Sequence, residues 1–128
     1  MQSVGSIQKA YDREELLASL DGDEQVVREI IQLYLDGAPK MLNTLLWEVE
    51  NANALGVAEA AHAMKGALLM LRAHRAAALA KGLEESCRRG DLSEGKAKLA
   101  ELVAAAQELT AALAYPADQR YRDHQVAR

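Results

Sequence analysis

Residues 54–71 of the chain read ALGVAEAAHAMKGALLML, and the pattern of this stretch indicates the fold. Its main apolar positions step along the chain by four, three, four and three residues, at Val57, Ala61, Met64, Leu68 and Leu71. This spacing is typical of a helix that lies along the seam of a helical bundle. The stretch is therefore predicted to form one long helix with a single face in a hydrophobic core.

The segment before this stretch is also predicted to be helical. A short first helix is expected to begin after the N-cap Asp12 and to end near Leu20, with the Glu15 side chain hydrogen-bonded to the Asp12 amide. A second helix is expected to begin after Asp23. Because proline has no amide to donate, this helix is predicted to kink or break briefly at Pro39.

Two more helices are predicted after the stretch. One begins near Arg75 and ends at Gly90, and the other begins after a cap at Ser93. The expected fold is all-α: an antiparallel up-down four-helix bundle with a short extra N-terminal helix. This bundle should occupy residues 11–114, whereas residues 115–128 are polar and non-periodic and are expected to form a disordered tail.

Composition and charge exclude several classes of protein. The 128 residues include 15 Lys and Arg against 19 Asp and Glu, a formal net charge of −4. A mildly acidic chain with few aromatic residues is a poor candidate for binding nucleic acid. No apolar run approaches the ~20 residues of a membrane span, and the lone Cys87 cannot form an internal disulfide. A cytoplasmic protein is expected. Cys87 is predicted to lie in the core, and Trp47 is interpreted as a packing residue of the bundle rather than a stacking platform.

His62 is a polar residue of this stretch whose presence is not accounted for by packing in a hydrophobic core. It lies about 100° around the helix from Ala61, so we expect it to be exposed, with Lys65 one turn later. A neutral imidazole is a competent nucleophile, and its unperturbed pKa of about 6.5 leaves much of it neutral in the cytoplasm. A lysine ammonium could pair with the oxygens of a phosphoryl group on that ring. The pair indicates a phosphoryl acceptor, although an exposed histidine beside a lysine also occurs without a function.

Small and apolar residues accompany His62 on its face of the helix. Ala58 lies one turn before it, Gly66 one turn after it and Leu69 two turns after it. Glycine inside a helix costs about 1 kcal/mol relative to alanine, and the close approach of another protein would offset that cost. These residues are predicted to form a docking surface.

The residues around His62 also resemble a family signature. The run AHAMKGA, residues 61–67, is similar to the A-H-x-L-K-G-[SA] signature of histidine-containing phosphotransfer (HPt) domains. Other segments are similar to the family's N-terminal pattern and to the helix after the histidine helix, at residues 12–17, 22–24, 33–35 and 79–91. The resemblance covers residues 11–114.

This resemblance implies a bundle that relays phosphoryl groups in two-component signalling. His62 would accept the group through Nε2 from an aspartate of a receiver domain and pass it to a second receiver, while Lys65 stabilises the phosphohistidine. Gly66 would leave room for the receiver. The implied partners are response-regulator receiver domains and a hybrid histidine kinase. No cofactor or metal is expected on this chain, because Mg²⁺ would sit in the acidic pocket of the receiver.

The sequence departs from the family pattern at Arg72, where glycine is usual, and in the bulky run 68–71 before it. Arg72 near the helix end suits the macrodipole, and it is included in the predicted docking surface. Two interpretations stay open: a helix end that is closed differently, or altered partner choice or self-association through a larger apolar patch. A monomer is expected rather than a dimer.

Other functions have weaker support in the sequence. His74 is interpreted as a surface histidine, and the run from Glu84 to Arg89 as i,i+4 pairs on a solvated face. Metal ligands at paired spacing and a glycine-rich phosphate loop are absent from the sequence, so an autonomous kinase is not expected and the status as an enzyme is open. The Met1 start favours a stand-alone protein. The alternative to a relay is a non-catalytic module that docks receivers or another helical partner.

Overall fold

The computed structural model describes residues 9–114, and within that range it is entirely helical, without a strand. The five helices of this range are α1 (Arg13–Ser19), α2 (Glu24–Glu50), α3 (Ala54–Met70), α4 (His74–Arg88) and α5 (Leu92–Leu113). The predicted all-α class is confirmed. The tail expected at residues 115–128 lies outside the described residues.

The four long helices form a closed bundle. α2 packs on α3, α3 on α4, α4 on α5, and α5 returns to pack on α2. The connections at 51–53, 71–73 and 89–91 are short, so consecutive helices run antiparallel. α1 contacts α2, and the Asp12 amide before it donates a hydrogen bond of 3.0 Å to the Arg72 carbonyl. The extra helix therefore covers the end of the bundle where α3 connects to α4.

The core lies between the four long helices and contains the whole predicted seam of α3. These seam residues are completely buried: Val57, Ala61, Met64, Leu68 and Leu71. They meet fully buried side chains of the other helices, including Leu45, Leu83, Leu102 and Leu109. Cys87 is buried among them, as predicted. Burial of this seam fixes the rotation of α3 about its axis, and so it decides which residues of α3 face solvent.

The sequence predicts a kink or a short break at Pro39; α2 continues through this residue without interruption, so the break is wrong. Proline in a helix removes one hydrogen bond and crowds the preceding turn, at a cost of roughly 3 kcal/mol. Tyr34, Ala38 and Leu45 are buried on both sides of the proline. Packing of this apolar face against the core outweighs the local penalty and keeps one helix of 27 residues.

The cap of α1 is only partly as predicted. Asp12 accepts a hydrogen bond of 2.9 Å from the Glu15 amide, which confirms it as the N-cap. The Glu15 carboxylate does not accept the predicted hydrogen bond from the Asp12 amide, because that amide donates to the Arg72 carbonyl. It lies instead 2.6 Å from Nε2 of His74, at the start of α4. Tertiary contacts with the α3–α4 connection have replaced the local capping box.

α5 begins earlier than its sequence suggests. Its N-cap is Asp91, whose side chain accepts a hydrogen bond from the Glu94 amide, and not the predicted Ser93. Both aspartate and serine are favourable N-cap residues. Gly90, with a φ of +82°, ends the preceding helix region, and Asp91 follows it directly and caps α5.

Trp47 is 60% exposed, so the prediction that it packs within the bundle is wrong. Leu45, two positions earlier, is fully buried. Two positions rotate a helix by about 200°, so Trp47 lies on the opposite face of α2 from Leu45.

Candidate functional site

His62 lies on the solvent side of α3. Its neighbours Ala61 and Met64 are completely buried in the core, whereas the His62 side chain is 63% exposed. The structure therefore agrees with the exposure that the seam spacing predicts. An imidazole in this position can be reached by another protein.

Glu84 of α4 holds the ring from the neighbouring helix. Its side chain is only 11% exposed, and its carboxylate oxygens Oε2 and Oε1 lie 3.1 and 3.3 Å from Nδ1 of His62. The same carboxylate accepts hydrogen bonds from Nζ of Lys65 at 3.1 Å and from Nε of Arg88 at 3.1 Å. One largely buried carboxylate thus contacts nitrogen atoms of three side chains from two helices.

The charge state of Glu84 determines the tautomer of His62. Burial alone raises the pKa of the Glu84 carboxyl, but hydrogen bonds from Lys65, Arg88 and His62 outweigh it and lower that pKa from 4.5 to about 2. At neutral pH the carboxylate is ionised and can only accept hydrogen bonds. Nδ1 of His62 must then carry the proton. In the neutral ring the lone pair is on Nε2, the nitrogen that does not contact Glu84.

Lys65 lies one turn after His62 and is 23% exposed. Its ammonium is bonded to Oε1 of Glu84, whereas His62 lies closer to Oε2. The predicted proximity of the two residues is thus present, with Glu84 as the link between them. A phosphoryl group on His62 would compete with Glu84 for this ammonium, and three acceptor oxygens are well suited to do so.

The surface beside His62 is open at Gly66. Beyond the adjacent residues and backbone of α3 itself, no atom lies within 4 Å of the position that a Cβ would take at this glycine. Gly66 and Leu69 are both exposed, and Leu69 is among the large apolar side chains that face solvent. These residues of the predicted docking surface are therefore accessible to a partner.

Ala58 does not belong to that surface, which corrects the prediction. It is completely buried. A residue four positions before His62 lies about 40° from it around the helix, on the side of Ala61. Lys65 lies on this same side and contacts Glu84, so α4 lies against it. Gly66 lies about 40° to the other side and remains free.

Arg72 closes the C-terminus of α3 in the left-handed conformation, with a φ of +59°. The Ala73 amide donates to the Leu68 carbonyl and the Arg72 amide to the Leu69 carbonyl, which is the pattern of a Schellman motif. The Arg72 guanidinium also donates to the Leu69 carbonyl at 2.9 Å. The position is one that favours glycine, and here an arginine occupies it. Its side chain is half-buried at the end of the helix.

Glu84 is the residue that the sequence analysis missed. The interpretation of residues 84–89 as a solvated run is wrong for Glu84, although its i,i+4 pair with Arg88 is present. The available signal was the spacing of Ala80, Glu84 and Cys87, which steps by four and three and places Glu84 on the buried seam of α4. A charged residue on a seam requires a partner, and Lys65 and His62 provide it.

The remaining candidates do not form a second site in residues 9–114. His74 pairs with Glu15 on the surface, and burial, assisted by Asp91, raises the pKa of the Cys87 thiol. No group of three or more His, Cys, Asp or Glu side chains is arranged for a metal within that range. None of the helices there is long and apolar enough to cross a bilayer.

These features define a class of protein: a four-helix bundle that presents a histidine with a free Nε2 on one helix. The family model described as Hpt domain matches residues 29–114, more than half of the chain. The chain therefore belongs to the Hpt domain family, whose members transfer phosphoryl groups in phosphorelays and interact with response regulators and histidine kinases. No curated protein and no solved structure matches the chain.

Proposed function

We propose that this protein relays a phosphoryl group between aspartates of two receiver domains through a phosphohistidine at His62. The observation that carries the proposal is the contact of Nδ1 with the sheltered Glu84 carboxylate. This contact orients an exposed ring and leaves the lone pair of Nε2 available to a visiting protein.

The forward step needs no base on this chain. The Nε2 lone pair of His62 attacks the phosphorus of an aspartyl phosphate, a new N–P bond forms and the P–O bond to the aspartate breaks. The electron pair of the broken bond stays on the aspartate oxygen. Because Nε2 carries no proton in the favoured tautomer, none has to be removed before attack. The reverse sequence transfers the group to a second aspartate.

Lys65 would stabilise the phosphorylated state. Its ammonium is already held on the same side of α3 as His62 by the shared Glu84 carboxylate. A shift of this flexible side chain from Glu84 toward the phosphoryl oxygens would offset their negative charge. Mg²⁺ would be supplied by the receiver.

The receiver would dock over Gly66 and Leu69, with Arg72 at the edge of the contact. The open space at Gly66 and the exposed Leu69 side chain support this placement. The partners are response-regulator receivers and a hybrid histidine kinase in the cytoplasm, and the protein would act as a monomer.

The proposal is tested by transfer of label from a phosphorylated receiver domain. The expected product is a base-stable, acid-labile phosphate on this chain that His62→Gln abolishes. His74→Gln is the matched control, because His74 is also an exposed histidine that contacts a carboxylate, and it should be labelled normally. Receivers that bind the chain without labelling it would instead favour the non-catalytic docking module.

A further inference from the structure

We propose that the negative charge of Glu84 increases the rate at which phosphorylated His62 releases its phosphoryl group. This effect is separate from the orientation of the ring by the hydrogen bond to Glu84. Glu84 would thereby favour the donor step of the relay. This inference rests on the proposed function, since it concerns the same histidine. It assigns a role to a residue of α4 that lies outside the signature around His62.

The geometry places a negative charge directly behind the reacting ring. Both carboxylate oxygens of Glu84 are within 3.3 Å of Nδ1, on the side of the ring opposite to the nitrogen that would carry phosphate. The carboxylate is mostly shielded from water, so its field at the ring is weakly screened. Besides the ring, the charged groups that contact this carboxylate are Lys65 on α3 and Arg88 on α4. Glu59 lies three positions before His62 on α3, and Lys81 three positions before Glu84 on α4.

The donor step depends on the proton at Nδ1. When the phosphoryl group leaves, the N–P bond breaks and its electron pair remains on Nε2, while phosphorus bonds to an aspartate oxygen or to water. If Nδ1 is protonated, the leaving group is a neutral imidazole. If Nδ1 has lost its proton, the leaving group is an imidazolate anion, which is far less stable. A group that keeps the proton on Nδ1 therefore speeds the release of phosphate.

An anion holds this proton more strongly than a neutral acceptor does. A glutamine carbonyl could accept the same hydrogen bond and orient the ring equally well. Only a carboxylate also stabilises the positive charge of the phosphorylated, protonated ring. An opposite charge at this distance moves a titration by about one to three units. Lys65 and Arg88 partly neutralise Glu84, so we expect the lower limit of this range.

The experiment measures the lifetime of the phosphorylated protein against pH, without any receiver present. The wild type, Glu84→Gln and Glu85→Gln are phosphorylated with phosphoramidate, a small donor that needs no docking surface, and loss of phosphate is followed from pH 5 to 9. Glu84→Gln should move the inflection of the profile to lower pH by about one unit and lengthen the lifetime on its alkaline side by up to about tenfold. Glu85→Gln, at an exposed neighbour, should match the wild type.

The outcomes separate this inference from the proposed function. Labelled Glu84→Gln with the lifetime and pH profile of the wild type would overturn the role of charge and leave the relay intact. A wild type that neither phosphoramidate nor receivers can label would overturn the relay itself. If Glu84→Gln does not fold, Arg88→Gln provides the second test. Loss of this exposed cation leaves Glu84 less neutralised, so the inflection should move to higher pH, and an unchanged profile would refute the inference.

Discussion

Nδ1 of His62 lies 3.1 Å from Oε2 of Glu84, so an exposed ring on α3 is held by a sheltered carboxylate on α4. Rotation of the ring would break this contact and leave a nearly buried anion with fewer partners, which is costly. The nitrogen that faces solvent is thus fixed by the fold before any partner arrives.

Lys65→Ala should slow the formation of phosphohistidine or shorten its lifetime by about tenfold, because one charge-assisted hydrogen bond contributes about 1.5 kcal/mol or more. The measurement is labelling by phosphoramidate and decay of the label. Lys65→Arg retains the charge and should recover part of the effect. The far-ultraviolet circular dichroism should stay helical, since alanine is a good helix former. Unchanged kinetics in the alanine variant would remove Lys65 from the site.

Gly66→Leu should block transfer from a receiver but leave labelling by phosphoramidate intact. The added side chain enters open space within the chain itself and would collide only with a docked protein. Gly66→Ala is the smaller control, and it should raise the free energy of unfolding by up to about 1 kcal/mol because alanine favours the helix. Receiver transfer at the wild-type rate in the leucine variant would show that partners dock elsewhere.

Acid should remove a stabilising contribution of Glu84. The pKa of its carboxyl is lowered in the folded protein from 4.5 to about 2. This contribution is therefore complete above the unfolded value and is lost as the pH falls through the folded value. Urea unfolding of the wild type and Glu84→Gln between pH 6 and pH 2 measures it. The wild type should lose more free energy of unfolding than the variant over this range, and parallel curves would contradict the expectation.

Arg72→Gly should stabilise the protein by about 0.5–1 kcal/mol. A residue with a side chain pays about 1–2 kcal/mol in the left-handed conformation, and the greater freedom of glycine in the unfolded chain returns part of this gain. Ala52→Gly is a useful comparison, because Ala52 has a φ of +53° and closes α2 in the same way, without a guanidinium. A smaller gain at Arg72 than at Ala52 would measure the bond from Arg72 to the Leu69 carbonyl.

The fold could be predicted from local signals where one pattern dominated. The seam from Val57 to Leu71 placed α3 correctly, because five apolar residues at helical spacing allow only one buried face. Pro39 misled the prediction, since its local penalty was weighed without the core packing on both sides of it. Trp47 was predicted to pack in the bundle, although its rotation relative to buried Leu45 puts it on the outer face of α2.

Only the part of the candidate site that lies on α3 could be predicted from the sequence. His62 and Lys65 follow from positions along α3, whereas their contact with Glu84 depends on how α4 is rotated against α3. That rotation is a property of the assembled bundle. The burial of Ala58 has the same origin, because only the neighbouring helix decides which flank of His62 is covered.

Because Glu84 of α4 contacts both His62 and Lys65 of α3, the geometry of the site depends on the axial register of these two helices. Neighbouring residues along a helix differ in height by about 1.5 Å, which is roughly three times the ~0.5 Å range of an N–H···O hydrogen-bond length. A substitution deep between α3 and α4, such as at Met64 or Leu83, could slide one helix past the other by that amount. Such a change would break the contact between Glu84 and His62, and the histidine would lose its orientation although every polar residue of the site was unchanged.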